Sequence, residues 1–69
     1  MKNNVFGKRL KELRLEKGFS QRSLGNVFNV CNQTISSWES GSREPDLDSL
    51  VAIAHYFEVP LEYLLEENY

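Results

Sequence analysis

Along the first stretch of the chain, Phe6, Leu10 and Leu13 recur every three or four residues, and Lys17 continues the same face with its aliphatic stem. That is the period of an α-helix with one face turned to a core, and Gly18 follows as a natural stop. The pattern predicts a first helix over residues 4–17. Ser20 offers an N-cap with Ser23 three residues on, and Leu24, Val27 and Phe28 supply the apolar face of a short second helix over 21–28. Asn29, which tolerates the left-handed conformation, ends it. Cys31 or Asn32 opens a third helix over 32–39 with Ile35 and Trp38 inward, and Gly41 closes it ahead of the loop SGSREP. Asp46 caps a fourth helix over 47–57, whose stripe of Leu47, Leu50, Val51, Ile53, Ala54 and Phe57 is wide. Pro60 suits the first position of a fifth helix carrying Leu61, Leu64 and Leu65. No strand alternation, repeat or low-complexity stretch interrupts the series. The predicted fold class is all-α: five short helices in a compact body of low contact order.

The segment from Ser20 to Gly41 is the informative one. Two short helices meet there across a tight turn, with Leu24, Val30 and Ile35 inward. The opposite face of the third helix presents Asn32, Gln33, Ser36 and Ser37, with Thr34 beside them. A solvated helix face more commonly carries Glu, Lys and Arg. Amide side chains instead match the paired donor and acceptor of an adenine edge, and a helix that begins with Asn, Gln and Thr suits a major groove. The plainer alternative is a merely polar surface helix.

Charge sharpens this picture. All eight Lys and Arg lie within residues 1–43 against three acids, a net +5, whereas residues 44–69 carry seven acids and no base. The overall −2 therefore hides a basic front and an acidic back, the distribution expected of a protein that offers one side to phosphates. With 69 residues the chain has room for one domain, 1–69, and a body of that size buries only about 60% of its unfolded surface, leaving no bulk for a deep cleft. Cys31 is the single cysteine and His55 the single histidine, so no internal disulfide, metal site or cofactor is expected. No nucleophile–base pair, carboxylate dyad or glycine-rich phosphate loop is present, which argues against an enzyme. The N-terminus lacks the apolar stretch of a signal peptide, and no run approaches a membrane span, so a cytoplasmic location is the expectation.

Several landmarks occur together: Arg9-Leu10, Leu13-Arg14 and Gly18; Ser20-Gln21 and Leu24; Thr34-Ile35, Trp38-Glu39 and Gly41; then Pro45, Leu50, Ala54 and the run from Val59 to Leu65. In this combination the chain resembles, over nearly its whole length, the phage repressor and Cro type of helix-turn-helix domain, the XRE-like family. The resemblance implies a lambda-repressor-like five-helix fold and sequence-specific binding of double-stranded DNA by a transcriptional regulator, most simply a repressor. It implies that helix two lies across the phosphate backbone with Gln21 bonding a phosphate at its start. Helix three would enter the groove with Asn32, Gln33, Thr34 and Ser37 nearest the bases. Ser36 would reach a phosphate or a base, and Ser40, Ser42 and Arg43 would flank a phosphate. Arg14 and Glu39 would join helix one to helix three inside the domain; otherwise they are two solvated charges.

Two positions depart from the family pattern. Gly25 stands where Ala is usual, at the close approach of the two helices, at a cost of about 1 kcal/mol in helix propensity. Cys31 stands where a Ser or Thr cap is usual, and a thiol caps poorly. An inert turn thiol is the plainer reading of Cys31, a redox-sensitive one the sharper. Trp38 is read as half core and half interface, and His55 as a surface residue of its helix. One domain reads too few base pairs to be selective, so a homodimer on a pseudo-palindromic operator with half-sites about 34 Å apart is expected. Helix five, with Leu61, Tyr63, Leu64 and Leu65, is the candidate dimer surface; Tyr56, Tyr63 and Tyr69 are read either as dimer contacts or as packing residues. No small-molecule ligand is evident. The alternatives are a protein-interaction or antitoxin module on the same fold, and the N-terminal DNA-binding part of a longer sensor-regulator.

Overall fold

The computed structural model describes residues 4–68; Lys2 and Tyr69 lie outside them. Within that range the chain forms α1 (Val5–Glu16), α2 (Gln21–Phe28), α3 (Asn32–Ser40), α4 (Leu47–Phe57) and α5 (Leu61–Leu65), and no strand. The helix ends follow local chemistry. Ser20 accepts from the Ser23 backbone N–H at 3.0 Å, while the Ser23 hydroxyl accepts from the Ser20 N–H at 2.8 Å. This reciprocal pair satisfies two donors that the first turn of a helix leaves open. Gly18, Asn29 and Gly41 adopt positive φ at the ends of α1, α2 and α3. Glu58 does the same after α4, a place where the sequence gives no glycine or asparagine signal.

The core is built from one face of every helix. α1 gives Phe6, Leu10 and Leu13; α2 gives Leu24; α3 gives Ile35 and Trp38; α4 gives Leu50, Ile53, Ala54 and Phe57; α5 gives Leu64. α2 packs closely on α3, α1 lies against α3 and α5, and α4 touches α2 and α5. Phe6 and Trp38 meet edge to face with centroids 6.3 Å apart, the arrangement that ring quadrupoles favour. Arg9 fastens α5 to α1: its guanidinium stands 4.6 Å above the Tyr63 ring and donates to the Glu67 carbonyl at 3.3 Å.

Some inward assignments need correcting. Leu47 is 71% exposed, and Val51 and Val27 are exposed too. On a helical wheel Leu47 and Val51 stand at the rim of the α4 stripe. Trp38 is buried rather than shared with an interface. Leu64 is fully buried and takes no part in any outer surface, although Leu65 is exposed and Leu61 and Tyr63 are half-buried. Pro60 is the residue before α5, in extended conformation, not its first helical position. Asp46 precedes α4 as expected, but its side chain makes no capping bond.

Two glycines are required by close approach. A Cβ on Gly7 would stand 2.5 Å from the Glu39 carbonyl oxygen and 2.7 Å from that of Trp38, so α1 rests directly on the end of α3. A Cβ on Gly25 would stand 2.6 Å from the Val30 carbonyl oxygen, where the turn folds back over α2.

Candidate nucleic-acid interface

α3 is held at its far end and open at its near end. Its last turn is fixed to α1 through Glu39. Arg14 Nε donates to Glu39 Oε2 at 2.6 Å and Nη2 donates to Oε1 at 3.2 Å, with both side chains nearly buried. The remaining Arg14 nitrogen, Nη1, donates to the Phe19 carbonyl at 3.0 Å. Asn4 Nδ2 donates to the Glu39 backbone carbonyl at 3.0 Å. Gln21, the first residue of α2, donates its amide to Glu39 Oε1 at 3.1 Å. One carboxylate therefore ties together α1, α2 and α3.

At the near end, Cys31 has N-cap backbone geometry but gives α3 no side-chain capping bond. Its carbonyl accepts from Thr34 at 3.0 Å and from Ile35 at a long 3.4 Å, so the helix opens with a tightened turn. The Cys31 sulfur lies 3.3 Å from the Thr34 hydroxyl. That hydroxyl, with the Thr34 N–H, favours the thiolate and draws the exposed Cys31 thiol below its ordinary value.

Between these ends lies the outward face. Asn32 and Gln33 are exposed, and neither amide is hydrogen-bonded to any other described residue. Thr34, Ser36 and Ser37 are half-buried along the same helix. The following loop winds around one backbone oxygen. The Ser37 carbonyl accepts from the Gly41 and Arg43 N–H groups, at 3.1 and 3.3 Å, and from the hydroxyls of Ser40 and Ser42, at 3.2 and 3.4 Å. The two hydroxyls also lie 3.1 Å from one another. Each has a single proton, and both protons are engaged inside the loop. Arg43 stands exposed beside it.

The family model for helix-turn-helix proteins matches residues 10–64, which run from α1 into α5. The chain belongs to the helix-turn-helix family, of the Cro and phage-repressor type. It is 37% identical over 62 residues to the HTH-type transcriptional regulator ImmR of Bacillus subtilis, covering 90% of this chain and 49% of that one. It is 25% identical over 64 residues to the cryptic phage CTXphi transcriptional repressor RstR of Vibrio cholerae, covering 93% and 58%. It is 38% identical over 71 residues to YgzD, an uncharacterized HTH-type transcriptional regulator of Bacillus subtilis, covering 99% and 100%. The chain spans about half the length of the first curated relatives it matches.

In this helix-turn-helix domain α2 and α3 are the two helices of the motif, joined by Asn29, Val30 and Cys31. The structure brings Gln21 to Glu39 and gathers Ser40, Ser42 and Arg43 around the Ser37 carbonyl, while Asn32 and Gln33 stand exposed at the start of α3 with no hydrogen bond among the described residues. Arg22 was absent from the candidates. It is exposed in the first turn of α2, next to Gln21, and a lone base in that turn was the available signal. Arg9 and Arg14 are occupied internally, while Lys8, Lys11, Lys17, Arg22 and Arg43 remain exposed. Asn4 and Gly7, which seat α3 on α1, gave no pattern in the sequence because their partners are distant backbone carbonyls.

Proposed function

We propose that this domain binds double-stranded DNA sequence-specifically and regulates transcription, with α3 in the major groove. The observation that carries the reading is the pair of exposed amides, Asn32 and Gln33, at the open end of the second motif helix, neither hydrogen-bonded among the described residues. An unpartnered amide at a helix N-terminus is free to pair with an adenine edge, and that geometry suits entry of the helix end into the groove. Asn32, Gln33, Thr34 and Ser37 are assigned to the bases, and Gln21, Ser36, Ser40, Ser42 and Arg43 to phosphates. Thr34 shares its hydroxyl with Cys31, and the Ser40 and Ser42 protons are engaged within their loop. DNA must exchange those bonds rather than add to them, so the side chains that keep a free donor, Gln21, Asn32, Gln33 and Arg43, carry most of the expected energy.

A body 29 Å in its longest extent fits one half-site without overlapping a second copy one turn, about 34 Å, away. Two copies therefore have room to occupy adjacent half-sites, as a homodimer on a pseudo-palindromic operator requires. Occupying such a site excludes other proteins from it, so repression is the simplest consequence. No described helix is long and apolar enough to cross a membrane, and a cytoplasmic setting fits a partner of this kind.

The length of the relatives favours a second, compatible reading, in which this domain is the DNA-binding part of a longer regulator. An interaction module is the weaker alternative, because the apolar residues of α3, Ile35 and Trp38, are buried and its exposed face is polar. Selection from a random duplex library, followed by titration of the winning sequence at several salt concentrations, tests the proposal. A pseudo-palindromic consensus bound with a steep salt slope is the expected result. No enrichment and no salt-dependent binding would exclude it for this chain.

A further inference from the structure

Glu39 has an acceptor to spare after pairing with Arg14, and its use is specific. Oε1 accepts from Arg14 Nη2 at 3.2 Å and also from Gln21 Nε2 at 3.1 Å. An ionised carboxylate only accepts hydrogen bonds, so the amide nitrogen of Gln21, not its oxygen, must face Glu39. That removes the two-fold ambiguity of a glutamine amide. The nitrogen carries two hydrogens, and one is committed to Glu39. The other is the remaining side-chain donor of Gln21, at the first residue of α2. A phosphate oxygen is likewise only an acceptor.

We infer that Glu39 is a positioning residue for DNA binding: it holds the Gln21 amide nitrogen by one hydrogen so that the other is presented to a phosphate. Arg14 is part of the device. An unpaired carboxylate one amide away from a phosphate would repel it, and the bidentate guanidinium cancels that charge. Asn4 holds the Glu39 backbone carbonyl at 3.0 Å, so the carboxylate is anchored at both ends. The ion pair thereby sets the distance between the backbone-contacting end of α2 and the groove-facing helix α3. The inference rests on the DNA-binding reading above and adds a residue that does not touch DNA.

Two measurements test it. In the unaltered protein, ¹⁵N relaxation of the Gln21 side chain should show it ordered near the level of rigid backbone, an order parameter of about 0.85 rather than below 0.6. When the selected duplex is added, one Gln21 amide hydrogen should shift strongly and the other should hold its position. Second, the tether is removed with its charges in the double variant R14M/E39L, since an apolar pair often replaces a buried ion pair without loss of fold. Gln21→Ala should weaken binding of the duplex roughly ten-fold or more in the parent, the size of a hydrogen bond to a charged group. In the double variant it should weaken binding less than about two-fold, because the amide is no longer presented.

An amide that is mobile in the free protein, or equal costs of Gln21→Ala in both backgrounds, overturns the positioning role while DNA binding stands. A rigid amide in a protein that binds no duplex at any salt concentration overturns the DNA reading, and the positioning role with it. If the double variant does not fold, the relaxation and shift measurements on the parent decide alone.

Discussion

Arg14 and Glu39, 25 residues apart in sequence, meet through two nitrogens and two oxygens, at 2.6 and 3.2 Å, with nearly all of both side chains out of water. Breaking such a pair leaves an uncompensated charge inside, which costs about 3–5 kcal/mol. Arg14→Ala and Glu39→Ala are each expected to lose that much stability in urea titrations. R14M/E39L should lose far less than the sum of the two. Single variants that lose under about 1 kcal/mol would mean that the pair behaves as an exposed one.

Gly7 is the point where α1 rests on α3. A methyl group there meets two backbone carbonyls at 2.5 and 2.7 Å, and α1 cannot retreat without drawing Phe6 and Leu10 out of the core. Gly7→Ala should therefore destabilise the domain by about 1–3 kcal/mol, even after the gain of about 1 kcal/mol in helix propensity. Thermal unfolding would register this as a fall of roughly 4–8 °C per kcal/mol. An unchanged or raised midpoint would show that the contact between α1 and α3 opens at little cost.

Cys31 occupies an N-cap with the right backbone and the wrong side chain. Cys31→Ser should let the hydroxyl accept an N–H of the first turn and raise stability, read as a higher urea midpoint. The thiol also has a pH signature. Thr34 lowers it below its ordinary 9.0 in the folded chain. Its contribution to stability is therefore present above the unfolded value and fades as pH falls through the lowered one. Alkylation rates should follow a titration below that of the urea-unfolded chain, and the serine variant should lose the corresponding pH dependence of stability. Coincident titrations in folded and unfolded protein would remove Thr34 as the cause.

The parts of this fold that were readable in the sequence are those written in local chemistry. Ser20, Gly18, Asn29 and Gly41 mark helix ends because each satisfies or permits a conformation within a few residues of itself. Phe6, Leu10, Leu24 and Ile35 sit at helical spacing and point inward. Leu47 and Val51 are exposed yet read as inward, because the rim of an apolar stripe looks the same as its centre until the packing around it is known. The family resemblance supplied the pairing of Arg14 with Glu39; periodicity could not, since both are charged and distant. The Gln21 bond to that carboxylate, the Asn4 bond to a carbonyl and the closure of the serine loop on Ser37 were hidden for the same reason. They depend on the packing of α1, α2 and α3 rather than on any run of residues.

The proposed base-reading and phosphate-binding roles can be told apart by mutation. Gln33 is exposed, lacks a partner among the described residues and stands in the first turn of α3. If it pairs with a base edge, Gln33→Ala should cost about 1–3 kcal/mol on the selected duplex and little on random DNA. Arg43 is exposed beyond the end of α3, its backbone N–H fixed to the Ser37 carbonyl. Its charge would meet a phosphate in any sequence. Arg43→Ala should then weaken both duplexes together and flatten the slope of log affinity against log salt by about one unit. The contrast within one set of titrations is what decides. Equal losses for Gln33→Ala on both duplexes would remove it from the base-reading set, and an unchanged slope for Arg43→Ala would remove it from the phosphate set. If both variants bind like the parent, neither residue contacts the duplex and the proposed docking of α3 is overturned as drawn.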